Sequence, residues 1–195
     1  PEWLVENLDR WGADGIVVLS IDRGDQGPDL ELIKRLSALG LRTPLTYGGG
    51  LATEEHARLA VRAGAERLVL DAVLSHNPQA VSAMSSAVGL QAIVAALPMV
   101  LCQSGEVFHL QYRTGVQSTL PAPIRKLIDS SQVSEVLVID AVGEGKGKGF
   151  NPALLEAVQP QTDLPLLAFG GLARAEQIRP LLDHPQLAGV VLGNA

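Results

Sequence analysis

The chain has 195 residues, of which 47% are hydrophobic and 18% charged, and its formal net charge is −6. This length suits one domain with a sizeable core, and the acidic balance argues against binding to nucleic acid or to an acidic membrane surface. No apolar run approaches the roughly 20 residues that a membrane span needs. The single cysteine, Cys102, cannot form an internal disulfide, and no Cys/His cluster has the spacing of a zinc site. We therefore expect a cytoplasmic protein.

Short β-branched runs alternate with stretches of helical spacing along the chain. Buried strands are predicted over 16–21, 44–47, 67–70, 91–96, 135–139, 164–169 and 189–192. Helices are predicted over 29–39, 53–63, 78–88, 120–130, 152–158 and 174–182. Thr53, Asn77 and Asn151 precede three of these helices, and their side chains can cap them. Seven strands that alternate with helices predict a parallel α/β fold.

The pattern of the first half of the chain recurs in the second half. Gly50-Leu51-Ala52 matches Gly171-Leu172-Ala173, each following a predicted strand, and Asp22 matches Asp140. Two homologous half-barrels of four β/α units each would give this duplication, so we predict a (β/α)₈ TIM barrel rather than a doubly wound sheet. The first strand and the last helix are expected outside residues 1–195, which we interpret as a single barrel domain truncated at both ends.

Glycine clusters follow two of the predicted strands, at the rim where barrel enzymes place their active sites. Glycine N–H groups can approach a phosphate closely, and a following helix N-terminus favours an anion. Two phosphate-binding sites are therefore predicted, and together they suit a long substrate with a phosphate at each end. The first site consists of Gly49, Gly50 and Ala72, and the second of Gly170, Gly171, Gly193 and Asn194. Asp71 would repel an anion at the first site unless its carboxylate points away. The alternative is that these glycines only make tight turns.

Several motifs resemble the histidine-biosynthesis barrel family. They are Ile21-Asp22-Arg23, the segment 27–33 that begins Gly-Pro-Asp, and the segment 44–51, in which Tyr47 precedes three glycines. That family contains the cyclase subunit of imidazole glycerol phosphate synthase and a sister isomerase of a phosphoribosyl-formimino intermediate. Tyr47 and the segment 71–81 are closer to cyclase-like paralogues that work with glutaminase partners in amidino-sugar pathways. The resemblance covers nearly the whole chain.

The resemblance implies two catalytic aspartates, one after the first strand of the barrel and one after the fifth. The first is expected before residue 1. The strand predicted over 91–96, which would be the fifth of the complete barrel, runs into Leu97-Pro98, where the family pattern has Ile-Asp. An apolar residue there removes general acid–base help worth roughly 10²–10⁴-fold. Glu144 lies in a lengthened glycine-rich loop after the sixth strand of the barrel and is a candidate for a replacement acid. The alternative is that this loop is only a flexible, solvated connection. Asp22 and Asp140 are the other catalytic candidates at the rim.

The sequence therefore predicts a cyclase-subunit-like enzyme of the lyase class. The resemblance implies that ammonia comes from a separate glutaminase subunit on the bottom of the barrel. The substrate would be a phosphorylated small molecule of histidine biosynthesis or of an amidino-sugar pathway. No organic cofactor and no metal is implied.

Two other functions stay open. A non-catalytic phosphate-binding paralogue is favoured by the missing fifth-strand aspartate, and an isomerase-like enzyme would need the same aspartate. A hairpin is predicted over 106–112, and the family also has a hairpin at this place, so the resemblance makes His109 and Arg113 candidates for contact with a ligand.

Overall fold

The structure is a computed structural model, and it describes residues 1–130 and 132–193. Its strands are β1 (Ile16–Leu19), β2 (Leu45–Gly48), β3 (Arg67–Leu70), β4 (Ile93–Leu101), β5 (Val107–Gln111), β6 (Val116–Ser118), β7 (Glu135–Asp140), β8 (Leu166–Phe169) and β9 (Leu187–Val191). Its helices are α1 (Glu2–Arg10), α2 (Leu30–Ser37), α3 (Glu54–Ala63), α4 (Ala72–His76), α5 (Pro78–Val88), α6 (Ala122–Asp129), α7 (Ala153–Val158) and α8 (Ala175–Ile178). Every predicted strand and helix is present, with shifted ends. Among the described helices, none has the length and apolar character to cross a membrane.

The main sheet is parallel and follows the order β1-β2-β3-β4-β7-β8-β9. The prediction that the strand after α5 ends at Ala96 is wrong by five residues, since β4 continues to Leu101. The reason is the predicted hairpin: β5 pairs antiparallel with residues 99–101 of β4, and β6 pairs with β5. Pro98 is tolerated inside β4 because β3 pairs only with residues 93–95, so no β3 ladder bond is lost there.

The sheet is curled into a barrel. A buried interior cluster contains residues of β3, β4 and β7, and Val17 of β1 and Val191 of β9 both pack against it. These two strands are the first and last in the sheet order, so their contact with one cluster requires strong curvature. The other face of the same strands packs against the helices in a second, larger cluster. The predicted barrel class is therefore confirmed over the doubly wound alternative.

Local signals explain where the helices begin. The side chain of Thr53 accepts a hydrogen bond from the backbone N–H of His56, at 3.2 Å, and caps α3. Asn77 does the same for α5, and Pro78 takes the first helical position. Asp29 caps α2 by accepting from Leu32 N–H at 3.0 Å. The predicted caps at Thr53 and Asn77 are confirmed.

The duplication is also present in three dimensions. Gly50 has φ +68° and packs against the backbone of Gly27, while Gly171 has φ +74° and packs against the backbone of Gly149. In both cases a Cβ would collide with a carbonyl oxygen of the facing loop. Each glycine therefore lets the turn after a strand press against the loop that follows the neighbouring strand, in the same way in both halves.

A partly buried ion pair marks the end of the barrel opposite the glycine turns. Arg67 begins β3 and Glu135 begins β7, and each lies two residues before a member of the interior cluster, so both side chains point into the barrel. Their Nη1 and Oε2 atoms are 2.8 Å apart, and Arg67 Nη2 donates to Ser134 Oγ at 3.0 Å. This end of the barrel is therefore closed by polar side chains.

The glycine contacts generate a prediction about stability. Gly50→Ala and Gly171→Ala should each lower the free energy of unfolding by more than about 2 kcal/mol, because a left-handed conformation disfavours alanine and the methyl group meets backbone. Gly15→Ala is the matched control, since its φ is not positive and a Cβ there meets no described atom within 4 Å. Urea denaturation of the three variants measures the difference. Equal stability of all three would show that the loops relax freely.

Candidate functional site

A cavity of about 540 Å³ lies at the carboxyl ends of the strands, as predicted for the active-site rim. Its floor is made by the last inward-facing residues of β1, β2, β4 and β7, which are Leu19, Gly48, Ala96 and Ile139. A Cβ at Gly48 would lie 2.8 Å from Leu19 Cδ2, so glycine keeps this part of the floor open. The loops above the floor supply the polar groups.

Asp71 is the half-buried carboxylate of this cavity. It follows β3 directly, two residues after the inward-facing Val69, and it lines the cavity wall. Its side chain does not cap α4 and makes no hydrogen bond or ion pair with any residue that the structure describes. Burial raises the pKa of this carboxyl group from 3.8 to about 6, and the charge of His76 only partly opposes the effect. A carboxyl group that titrates near 6 can both give up and accept a proton near neutral pH.

Asp22 and Arg113 also line this cavity. Asp22 is exposed in the loop three residues beyond the end of β1. Arg113 belongs to the tip of the β5–β6 hairpin, and its Nη2 lies 3.3 Å from Oδ1 of Asp25 in the same β1–α2 loop. The hairpin therefore extends over the cavity mouth, and the prediction that Arg113 reaches the ligand region is supported by its position.

The residues predicted as the first phosphate site come together in this cavity. Gly49, Gly50 and Ala72 all line it, next to Asp71. The N–H groups of the two glycines donate to no acceptor within the described part of the chain. The cavity therefore offers free N–H donors from the loop after β2 and an unpaired carboxylate at the end of β3.

A second pocket, of about 200 Å³, contains most of the second predicted phosphate site. Gly170, Gly171 and Gly193 line it, together with Glu144. The N–H groups of the three glycines make no hydrogen bond to another residue in 1–130 or 132–193. Asn194, the fourth residue of this prediction, lies outside the described residues. The three glycines form a small cradle of backbone donors that is suited to an oxyanion.

Asp140 anchors the long loop after β7. It is only 7% exposed, and its carboxylate accepts hydrogen bonds from the N–H groups of Val142, Gly143 and Asn151, at 3.1, 2.6 and 3.3 Å. Asp140 is the last residue of β7, and its side chain lies on the outward-facing side of the strand, whereas Ile139 faces the barrel interior. Both oxygens are thus occupied by the loop backbone, and a catalytic role for Asp140 stays a prediction.

Glu144 lies between the cavity and the pocket. Its side chain is exposed, and Oε2 accepts a hydrogen bond of 3.2 Å from the hydroxyl of Tyr112 in the hairpin tip. Tyr112 lines the cavity while Glu144 lines the pocket, so the pair separates the two spaces. Burial, and then the nearby charge of Glu144, raise the pKa of the Tyr112 hydroxyl, which stays protonated as a donor.

The place in β4 where the family resemblance implies an aspartate carries no acid. Ala96 faces the cavity, Leu97 is fully buried in the helix-facing cluster, and Pro98 follows. His109 is 2% exposed on β5, and its Nδ1 has no partner among the residues described. Burial lowers its pKa, so His109 is a neutral residue of the antiparallel extension.

The sequence analysis did not predict that Asp71 is an acid of the site or that Tyr112 forms part of the cavity wall. A signal for Asp71 was present: it directly follows an apolar strand, at the same rim as the predicted glycine sites. In the part of the chain that the structure describes, no three His, Cys, Asp or Glu side chains come together in a way that could hold a metal ion.

Comparison with known proteins gives one consistent result. A family model described as "Histidine biosynthesis protein" matches residues 1–195. The chain is similar to proteins named "Imidazole glycerol phosphate synthase subunit HisF". It is 30% identical to the protein of Metallosphaera sedula over 179 residues, covering 90% of this chain and 70% of the relative. It is 29% identical to that of Corynebacterium glutamicum over 189 residues, covering 92% and 73%.

The match over the full length agrees with the curled sheet, the duplicated glycine turns and the rim cavity. The chain belongs to the histidine biosynthesis protein family, as a divergent member that resembles the HisF subunits.

Proposed function

We propose that this chain is a cyclase-type enzyme that joins ammonia, supplied by a separate glutaminase subunit, to a phosphorylated small molecule. The observation that carries the proposal is that the cavity and the second pocket lie next to each other at the carboxyl ends of the strands. A pocket of free backbone donors lies beside a larger cavity whose wall holds a carboxyl group with a pKa of about 6. The relatives named for imidazole glycerol phosphate synthase support the reaction class.

The substrate phosphate binds in the second pocket. Gly170, Gly171 and Gly193 line it, and their N–H groups have no hydrogen-bond partner among the described residues. Lys146 and Lys148 lie in the adjoining loop and add positive charge. Glu144 is turned toward the Tyr112 hydroxyl and is exposed to solvent, which screens its charge. The pocket is therefore the better of the two glycine sites for an anion.

Proton transfer takes place in the cavity. When ammonia adds to an electrophilic carbon, the new N–C bond leaves a positive nitrogen that must lose a proton, and the leaving group must gain one. Asp71 can take the first proton as a carboxylate and return it as an acid, because its pKa is near 6. Asp22 is a second acid in the same cavity, Glu144 is a third at its border, and Asp140 positions the loop.

Ammonia enters from the bottom of the barrel. A glutaminase docked there would release ammonia beside the Arg67–Glu135 ion pair. The side chains of this pair point into the barrel and lie on the path from the bottom to the cavity. Passage to the cavity requires this pair to open or shift. Ion pairs that are partly exposed hold only weakly, which is compatible with such a movement.

A second candidate function is a non-catalytic phosphate-binding paralogue. One observation favours it: the end of β4 offers Leu97 and Pro98 where the family resemblance implies an aspartate. An isomerase-like enzyme would need that aspartate too. The two functions differ in turnover, because both require the phosphate pocket and only the enzyme requires an acid in the cavity.

Phosphate binding is predicted to depend on Gly193. Gly193→Asp should weaken binding of inorganic phosphate at least tenfold, because it places a like charge in the pocket. Gly193→Asn is the matched control, with the same shape and no charge, and should bind much more tightly than the Asp variant. In both variants the Cβ lies 3.0 Å from Cε2 of the Phe169 ring, so the steric demand at this atom is the same. The measurement is the change in amide chemical shift of Gly170 and Gly171, and equal affinities of both variants would contradict the pocket.

Turnover is predicted to depend on Asp71. The assay supplies an ammonium salt with the cyclase substrate of histidine biosynthesis and with analogues that carry one phosphate. Asp71→Asn should reduce turnover by roughly 10²-fold or more, and wild-type kcat/KM should fall as the pH drops below about 6 at a fixed concentration of free ammonia. Glu144→Gln, measured in parallel, tests the acid that the sequence predicts. Phosphate binding by the wild-type protein without any turnover would favour the non-catalytic paralogue.

Asp71 is also predicted to lower the stability of the fold. The pKa of its carboxyl group is about 6 in the folded protein and 3.8 in an unfolded chain, so the folded state binds the proton of Asp71 more tightly than the unfolded state does. Stability therefore falls as the pH rises from about 4 to 6, and the penalty is complete above 6. Asp71→Asn should be more stable than wild type by roughly 1–3 kcal/mol at pH 8, with the difference vanishing near pH 4. Urea denaturation at both pH values measures it, and a variant less stable at pH 8 would contradict the cost of burial.

A further inference from the structure

The two halves of the barrel differ at one corresponding position beside their glycine turns. The register pairs Gly48 with Val69 in the first half and Phe169 with Val191 in the second. Asp71 is two residues beyond Val69, and Gly193 is two residues beyond Val191, so they occupy equivalent places at the rim. The first half thus has a carboxylate where the second half has no side chain.

The charges around the first glycine site are unfavourable to an anion. Asp71 and Asp22 line the cavity without a partner among the described residues, while the positive charge of Arg113 is already opposed by Asp25. His76 faces the same cavity, and its Nδ1 donates to the carbonyl oxygen of Ala72 at 2.8 Å. A phosphate on the N–H groups of this site would lie against the Asp71 carboxylate.

The same groups suit a different kind of ligand. A carboxylate accepts hydrogen bonds from hydroxyl and amine donors, and free N–H groups donate to a hydroxyl oxygen. Asp71 and the N–H groups of Gly49 and Gly50 present both kinds of partner in the same cavity. Half-burial also makes the Asp71 charge harder to screen than that of exposed Glu144 at the second pocket.

We propose that Asp71 makes the first glycine site selective for a hydroxyl or amine group, so that the substrate carries a phosphate at one end only. This inference rests on the proposed phosphate pocket formed by Gly170, Gly171 and Gly193. The phosphate is held by the second half of the barrel, and the uncharged or positively charged end of the substrate lies against Asp71. The first site thereby rejects a substrate with a phosphate at both ends.

Sulfate, which is a dianion at pH 7.5, is the probe that tests the inference. At pH 7.5 the Asp71 carboxylate is ionised, and a sulfate titration of ¹⁵N-labelled protein should saturate the amides of Gly170, Gly171 and Gly193 only. Asp71→Asn should create a second saturable site at Gly49, Gly50 and Ala72, at least tenfold tighter than any response there in wild type. Asp183→Asn is the matched control, because it changes the net charge equally at an exposed position in the turn before β9.

Each result of the titration decides a different point. Saturable sulfate binding at both sites of the wild-type protein overturns the selectivity of Asp71 and leaves the proposed function intact. The absence of binding at the second pocket in wild type overturns the phosphate pocket itself. No gain in Asp71→Asn, or an equal gain in Asp183→Asn, also overturns the inference. Asp71→Ser gives the same test if the Asn variant loses its dispersed spectrum.

Discussion

The close contact between backbone and backbone at Gly50 and Gly171 is the constraint on which the rim depends. Each turn after a strand presses against the loop of the preceding β/α unit, Gly50 against Gly27 and Gly171 against Gly149. The contact holds two neighbouring loops close together, and the N–H groups of the glycines in these turns make no hydrogen bond within the described residues. Because a turn without a side chain can pack this way, the glycines serve the fold whether or not a phosphate is bound. Their presence alone therefore does not prove a binding site.

The duplicated frame supports different chemistry in its two halves. In each half, the residue six positions after the glycine of the close contact stabilises the turn with its side chain. His56 accepts a hydrogen bond from Ala52 N–H at 3.4 Å, and Gln177 accepts one from Ala173 N–H at 2.8 Å. The frame is thus maintained with different side chains. At the next strand, however, the first half has Asp71 and a large cavity, and the second half has a small pocket of backbone donors. One half is arranged for proton exchange and the other for holding an anion.

Much of the fold could be predicted because its signals are local. Caps such as Thr53 and Asn77 act within three residues, and the alternation of strands and helices is visible in short windows. The site was less predictable because its geometry arises from contacts between distant segments. The sequence repeat matches Asp22 with Asp140, but this match is wrong in the structure, where Gly49 packs against Ser20 as Gly170 packs against Asp140. Asp22 lies two residues beyond Ser20 and lines the cavity, whereas the carboxylate of Asp140 is saturated by backbone N–H groups of its own loop. The raised pKa of Asp71 comes from its burial, which depends on segments that are distant in sequence.

The hairpin tip contacts both halves of the rim but lines only the larger space. Arg113 contacts Asp25 of the first half, and its neighbour Tyr112 contacts Glu144 of the second, across 88 and 32 residues of chain. Both tip residues line the cavity, whereas no described residue of the hairpin lines the smaller pocket. The Arg113–Asp25 pair is exposed, and an exposed ion pair contributes only about 0–1 kcal/mol. A movement of this short turn therefore changes access to the cavity and leaves the glycine wall of the pocket in place, so the two ends of a long ligand meet sites that open to solvent independently.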